Sequence, residues 1–369
     1  MNWRLLIENS VSDSYGLAAD EILTKRVGQN KSLPILRLYT YKSHCALAGR
    51  FQNIENEINL KFCNENNIAF NRRPTGGGAI IMGEDQLGIA LMIPAKSQDN
   101  FGNLKQVMKK FSAGIIDGLN YMGLSSAFMG KNDIEVEGKK LAGLGLYRDA
   151  FGGLLFHASV LLDMNIDLML KTLITPFEKI SDKSIQTVQS RISALRWLLS
   201  ENITMDDLIK SVKRGYESAF DIKFESQNLT EDELNEIHNL QLTKYGNNDW
   251  IFQSSGINDY KGNAKCKTDY GLIDININVA GQTIKNIFIG GDFFAAEAAI
   301  AELESNLKWH PCNADKIAET INDIYLKYNG ELSSLPEIEL NETIIEAIKN
   351  ASEFSKTYGC FVNPGGSNG

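Results

Sequence analysis

Three consecutive glycines, Gly76-Gly77-Gly78, separate two short runs with strand character at residues 69–73 and 79–82, and they follow directly on Arg72-Arg73-Pro74-Thr75. No side chain covers the main-chain amides of such a turn. It can fold into an anion-holding nest, or admit a ligand backbone or phosphate at close range. The two arginines supply fixed charge and forked donors for phosphate or carboxylate. A plain glycine hairpin with two solvated arginines is the bland alternative, yet three glycines exceed what a hairpin turn requires. The spacing is neither that of a P-loop nor the G-x-G-x-x-G of a dinucleotide fold.

The rest of the chain decides which anion chemistry fits. Its 369 residues are 43% hydrophobic and 22% charged, an ordinary globular composition, and the length suggests two domains. Lys and Arg number 37 against 46 Asp and Glu, a formal charge of −9. Such a surface argues against nucleic-acid or anionic-membrane binding, so an anionic ligand must be held by a local basic site. Cys45, Cys63, Cys266, Cys312 and Cys360 form no C-x-x-C pair and read as reduced thiols. The segment Met1-Asn2-Trp3-Arg4 lacks a signal-peptide core, and no apolar stretch reaches the ~20 residues of a membrane span. A cytoplasmic protein is expected. His44, His157, His238 and His310 are far apart in sequence, which argues against a protein-caged zinc or iron site.

Periodicity gives the organisation. Leu17, Ala18, Ile22 and Leu23 share a helical stripe over 14–27, and residues 36–41 alternate as a strand with 45–49 as its expected hairpin partner. A helix is expected over 56–66, and strands over 69–73, 79–82 and 87–93. The spacing of Leu104, Val107, Met108, Phe111, Ile115 and Leu119 predicts a helix over 103–122. Strands follow at 134–136, 140–147 and 154–162, then two helices, the second opening at Thr204 with Asp207 completing a capping box. This order favours an α+β domain: a mixed sheet with helices on one side. The turn-rich stretch 245–250 marks a joint. Beyond it, strands at 271–279 and 284–289 and helices near 295–306 and 313–327 make a small second α+β domain. The expected division is 1–245, 246–346, and a helical extension with flexible tail at 347–369.

A second segment carries chemistry. Lys131-Asn132-Asp133-Ile134-Glu135-Val136-Glu137-Gly138-Lys139-Lys140-Leu141-Ala142-Gly143 reads as a hairpin with a carboxylate able to hold Mg²⁺ and two ammonium groups. Strand alternation allows only one of Lys139 and Lys140 to face inward.

Together the two segments resemble the lipoate–protein ligase A family, of the biotin/lipoate protein ligase superfamily. The resemblance runs through Gly49-Arg50-Phe51-Gln52-Asn53, the Arg-Arg-x-Thr-Gly-Gly-Gly-Ala run, Asn132-Asp133-Ile134, Gly138-Lys139-Lys140-Leu141-Ala142-Gly143, Phe156-His157-Ala158-Ser159 and Ser190-Arg191-Ile192, and past Trp250-Ile251-Phe252 into a C-terminal accessory domain. It implies a biotin/lipoyl ligase-type catalytic domain that joins lipoate to AMP with ATP-Mg²⁺ and passes the lipoyl group to a lysine of a lipoyl domain. The acceptors would be 2-oxoacid dehydrogenase E2 subunits and the glycine cleavage H protein. Carboxylate attack on the α-phosphate joins two anions, so such a site must screen charge and hold the groups in line.

Residue by residue, the resemblance implies that Lys140 is the catalytic lysine and Asp133 the Mg²⁺ carboxylate. Arg73, Gly76, Gly77, Gly78, Ala79, Ile80, Asn132 and Asp133 would bind the adenylate with Lys140. Arg72, Arg73, Thr75, Met82, Gly143 and His157 would bind lipoate with the same lysine; a satisfied core histidine is the other reading of His157. Many relatives carry a histidine where Met82 stands, which opens the choice between lipoate and octanoate. Leu47, Phe51, Ile81, Met82, Leu144 and Phe156 are candidates for the acyl slot, and Lys139, Arg148 and Arg191 for a basic rim that meets the acceptor. Two alternatives stand beside the ligase. One is an ATP-independent octanoyl or lipoyl transferase working through a cysteine thioester, although no cysteine lies between Lys140 and Leu162. The other is a non-catalytic acyl-adenylate or lipoyl-domain binding protein.

Overall fold

The computed structural model describes residues 2–95, 102, 104–174, 182–253 and 262–357. The expected flexible tail beyond Thr357, with Cys360, lies outside them. The chain divides into two compact units, residues 1–253 and 254–369.

The first unit is built on an eight-stranded mixed sheet. Its first half comprises β1 (Asn2–Val11), α1 (Asp13–Gly28), β2 (Ile35–Tyr41), β3 (Cys45–Ala48), the short helices α2 (Ile54–Glu57) and α3 (Leu60–Glu65), β4 (Ala69–Arg72), β5 (Ile80–Met82) and β6 (Gln86–Pro94). Then come α4 (Leu104–Tyr121), β7 (Ser126–Met129), β8 (Asp133–Val136), β9 (Lys139–Arg148), β10 (Gly153–Leu161), α5 (Ile166–Thr172), α6 (Asp182–Gln189), α7 (Leu195–Leu198) and α8 (Met205–Phe220). It closes with β11 (Lys223–Ser226), α9 (Glu231–Leu240), a π-turn at Gln241–Tyr245 and α10 (Asn248–Phe252). The large sheet runs β11-β1-β2-β6-β10-β9-β8-β7, and β4-β3-β5 form a small second sheet.

All seven residues of β2 and eight of nine in β6 are buried, as strands covered on both faces must be. Helices therefore lie on both sides of the sheet, not on one. α1 packs against β6 and β10 on one face; α4 and α8 pack on each other and cover the opposite face. The Thr204–Asp207 capping box opens α8.

Several elements depart from the periodicity. β3 does not pair with β2, because both edges of β2 are taken by β1 and β6; it pairs parallel with β4 and antiparallel with β5. The helix expected over 56–66 is two: Ile58 is extended and bridges to Leu173, and Asn59 caps the second by accepting from the Phe62 amide. β1, β7 and β11 carry no clear alternation, and the last two are short strands at the ends of the sheet. Residues 246–253 fold with the first unit, since α10 packs against β4 and the π-turn.

In the second unit β12 (Gly262–Thr268), β13 (Gly271–Ala280) and β14 (Thr283–Gly291) form an antiparallel meander, followed by α11 (Glu297–Leu307), α12 (Ala314–Tyr328) and α13 (Glu337–Thr357). Ile273, Ile275 and Ile277 are buried at alternate positions of β13. α13 is one helix packed on β12 and β13, so the expected extension from 347 continues an element of this unit. Among the described residues no helix is long and apolar enough to cross a membrane.

Candidate active site

β4 delivers Arg72 and Arg73 to the glycine-rich turn, and both side chains are buried. Arg73 donates from Nε to Thr75 Oγ1 at 3.1 Å, from Nη1 to the Leu47 carbonyl at 2.9 Å, and from Nη2 to the Gly76 and Gly78 carbonyls at 3.0 and 2.6 Å. Four of its five donors thus shape the loop, and one remains. Arg72 points elsewhere. Its Nη1 donates to the carbonyls of Gly49, Arg50 and Gln52 at 2.9, 3.1 and 2.6 Å, and its Nε to those of Trp250 and Ile251, both at 3.1 Å. The expectation that Arg72 contacts lipoate is not met, because every acceptor around it is a backbone carbonyl outside the cavity described below.

No carboxylate among the described residues pairs with either guanidinium. Burial, with Arg50 and Arg73 alongside, presses Arg72 down to about 9, and burial presses Arg73 down to about 10. Two buried charges compensated only by carbonyl and hydroxyl dipoles leave this region electropositive, a costly arrangement unless an anion completes it. The amides of Gly76, Gly77, Gly78 and Ala79 donate to no described residue. Gly77 sits at φ +93°, and a Cβ on Gly49 would lie 1.9 Å from its carbonyl oxygen, so the loop closes tightly over residue 49.

The lysine hairpin lies on the large sheet. Asp133 pairs with Gly143 and Ile134 with Ala142, but Glu135 pairs with Lys140, so Leu141 is an extra residue in β9. This bulge turns Lys140 onto the face of Gly143 and Asp133 and leaves Lys139 exposed. Lys140 Nζ meets Asp133 Oδ1 at 2.7 Å, and a Cβ on Gly143 would stand 3.2 Å from that nitrogen. The Lys140 amide donates to the Arg191 carbonyl, and the Ser193 amide donates to the Lys140 carbonyl, at 2.9 and 2.8 Å. Arg191 therefore stands beside Lys140. Arg148, at the opposite end of β9, is roughly 25 Å along the strand and does not join Lys139 and Arg191 in one rim.

A cavity of about 150 Å³ unites the two segments, with Arg73, Gly78, Ala79, Ile80, Asn132, Lys140, Gly143 and His157 on its wall. Asn132 is mounted by a mutual pair with Leu144: the Leu144 amide donates to its carbonyl, and its Nδ2 donates to that of Leu144. Thr75, Gly76 and Gly77 are buried and do not line the cavity. Of the slot candidates, Leu47, Met82 and Leu144 line the cavity, whereas Phe51, Ile81 and Phe156 do not. Phe156 faces the far side of the sheet, 6.0 Å from Phe111 of α4. Leu17, Tyr39, Tyr41, Ala158 and Ser159 complete the lining and were not anticipated. The available signal was the glycine set on the sheet: a Cβ on Gly88 would strike the Tyr39 ring, and one on Gly145 the His157 imidazole.

Electrostatics distinguish the polar groups. His157 Nε2 lies 3.2 Å from Thr75 Oγ1, and burial with the nearby Arg73 charge pushes the imidazole down to about 3, so it is neutral. Behind Tyr39, its hydroxyl donates to Asp20 Oδ2 at 3.2 Å, and Arg37 pairs with Asp20 and Glu8. Among the described residues no three His, Cys, Asp or Glu side chains come together. Asp133 alone could hold Mg²⁺, which suits an ion whose shell is completed by phosphates and water.

Residues 13–217 match the lipoyl protein ligase A/B catalytic domain. The chain belongs to that family. Residues 258–350 match the bacterial lipoate protein ligase C-terminus. The chain is 27% identical over 340 residues to the lipoate-protein ligase LplJ of Bacillus subtilis, covering 91% of this chain and 99% of LplJ. It is also 27% identical over 274 residues to the octanoyltransferase LipM of the same organism, covering 68% of this chain and 98% of LipM. A solved bi-partite lipoate protein ligase from Thermoplasma acidophilum, analysed with its E2 lipoyl domain, superposes with a TM-score of 0.62 at 25% identity, over 68% of this chain and 96% of that one. The expected family and α+β fold are thereby established, within a family of lipoyl and octanoyl ligases and transferases. The catalytic-domain match of this lipoyl ligase A/B member holds the glycine-rich loop, Lys140 and His157, while α9, the π-turn and α10 fall between the two matched regions.

Proposed function

We propose that the protein is an ATP-dependent lipoate–protein ligase acting in the cytoplasm. The observation that carries this reading is the cavity itself. It combines the Lys140 ammonium, the Arg73 guanidinium without a counter-ion and the open amides of Gly78 and Ala79, and among the described residues no thiol stands on its wall. In the first step a lipoate carboxylate oxygen attacks the α-phosphorus of ATP, the α–β anhydride bond breaks, and pyrophosphate leaves. In the second, the amine of an acceptor lysine attacks the carbonyl carbon of lipoyl-AMP, an amide forms and AMP leaves.

Each residue has a task. Lys140 exchanges its contact with Asp133 for the carboxylate and α-phosphate oxygens, neutralising charge where they join. Gly78, Ala79 and Ile80 receive the adenylate, with Gly76, Gly77 and Arg73 setting the loop and Asn132 the opposite wall. Asp133 would hold Mg²⁺, which screens the phosphates when bound. Thr75 orients neutral His157, and Leu47, Met82, Leu144 and Gly143 shape the acyl slot. Acceptors would be lipoyl domains of 2-oxoacid dehydrogenase E2 subunits and the glycine cleavage H protein.

The cysteine route of an octanoyltransferase finds less support. Cys45 and Cys63 are buried, and burial pushes Cys63 to about 11 and Cys45 well above its ordinary value, while Cys266 and Cys312 belong to the second unit. The match to LplJ, which runs through the C-terminal region, also favours the ligase. The test is pyrophosphate release by purified protein with lipoate, ATP and Mg²⁺, expected to depend on all three. Silence rejects the ligase. A variant with all five cysteines changed to serine should still transfer lipoate; loss of transfer with pyrophosphate release intact would favour the thioester route.

A further inference from the structure

We infer that residues 245–251, which lie between the two matched regions, are part of the active-site apparatus, and that Trp250 is a positioning residue for the glycine-rich loop acting through Arg72. The contacts run in both directions. Trp250 Nε1 donates to the Arg72 carbonyl at 2.9 Å, and Arg72 Nε donates to the carbonyls of Trp250 and Ile251. One residue earlier, Asn71 Nδ2 donates to the carbonyl of Tyr245, the last residue of the π-turn, at 2.9 Å. Asn71 Oδ1 in turn accepts from the Arg72 amide at 2.8 Å. Two consecutive β4 residues are thus tied to residues 245–251 immediately before the chain enters the loop.

From Arg72 the tie reaches the loop's other support. Its Nη1 gathers the carbonyls of Gly49, Arg50 and Gln52, and Gly49 is the residue over which Gly77 closes. The Arg50 amide donates to the Thr75 carbonyl and the Arg73 amide to that of Ala48. Arg72 therefore holds residues 49–52 against 250–251, and the loop is suspended from both. The Trp250 ring is itself placed by charge: Lys244 Nζ stands 3.9 Å from its centroid and the Arg50 guanidinium 4.8 Å. Lys244 is anchored on Glu21 of α1 at 2.7 Å, which also accepts from the Tyr245 hydroxyl. A structural pin alone would not call for a buried, carboxylate-free guanidinium in this place. A charge that keeps carbonyls turned toward itself leaves amides and positive potential for the anion.

The identity of that anion, the phosphates of ATP, rests on the ligase reading; the brace does not. The test is therefore made in two parts on the full chain with Trp250→Phe, which keeps an aromatic ring for Lys244 and Arg50 while removing the Nε1 donor and part of the indole's bulk; the strand controls below separate the lost bulk from the lost donor. In the unliganded protein, hydrogen exchange of peptides spanning 45–53 and 72–82 should quicken about tenfold, with β6 and β10 unchanged. In pyrophosphate release, KM for ATP should rise about tenfold, with KM for lipoate changed less than twofold. Unchanged exchange in both loop peptides overturns the proposal. So does exchange that quickens equally across β6 and β10, or a KM for lipoate that rises in step with that for ATP, since the donor would then merely support the fold. If the wild-type protein releases no pyrophosphate while the exchange result holds, the ligase reading fails and the brace stands.

Discussion

Lys139 and Lys140 are chemically identical neighbours, and the strand bulge at Leu141 separates their fates. It sets Lys140 against Asp133 and the open Cα of Gly143, and it leaves Lys139 in solvent. Lys140→Ala should cut pyrophosphate release by at least 100-fold, since removing one group aimed at developing charge costs about 3 kcal/mol or more. Lys139→Ala should stay within twofold, and steady-state kinetics of the two variants checks both. The Gly-Lys-Lys spacing and the family pattern were legible in the chain, but the bulge was not, because it depends on how β9 registers against β8. Arg72 shows the converse. Beside Arg73 in sequence it looked like a second ligand-binding group, yet alternation along β4 turns it to the other side, where only carbonyls meet it.

Among the elements, the glycine-rich turn works through close backbone approach. Gly49→Ala places a methyl 1.9 Å from the Gly77 carbonyl oxygen, which the loop can relieve only by moving away from β3. Overpacking of this kind costs ~1–3 kcal/mol. The expected outcome is a lower Tm together with at least tenfold weaker ATP binding, read by thermal unfolding and calorimetric titration. α4 was readable from its apolar spacing and the start of α8 from its capping box, but the two helices expected after β10 are four, α5 to α8. Strand existence was readable at β2, β6, β9 and β10. Pairing was not, because four short apolar residues such as Cys45–Ala48 fit equally well beside β2 or between β4 and β5 until the edges of β2 are known to be occupied.

At the scale of the whole molecule, the site leaves a mark on stability. His157 sits below its unfolded value of about 6.5, at about 3, so the unfolded chain takes up a proton that the folded site refuses. Its contribution is complete above pH 6.5 and is lost as pH falls from there toward 3, at up to about 1.4 kcal/mol per pH unit. Thermal unfolding at pH 7 and pH 4.5 should show a smaller drop in Tm for His157→Gln than for the natural protein; equal drops would mean that His157 takes up its proton without resistance. The amino-acid order by itself determined the family, the α+β class and the chemical kinds of group at the site, because these follow from local spacing and residue type. Which arginine faces the cavity, which face Lys140 takes, and that Tyr39, Tyr41 and Trp250 belong to the story were decided by the tertiary structure alone. Those facts depend on pairing register and on contacts between residues up to 179 positions apart, and short-range periodicity carries no record of either.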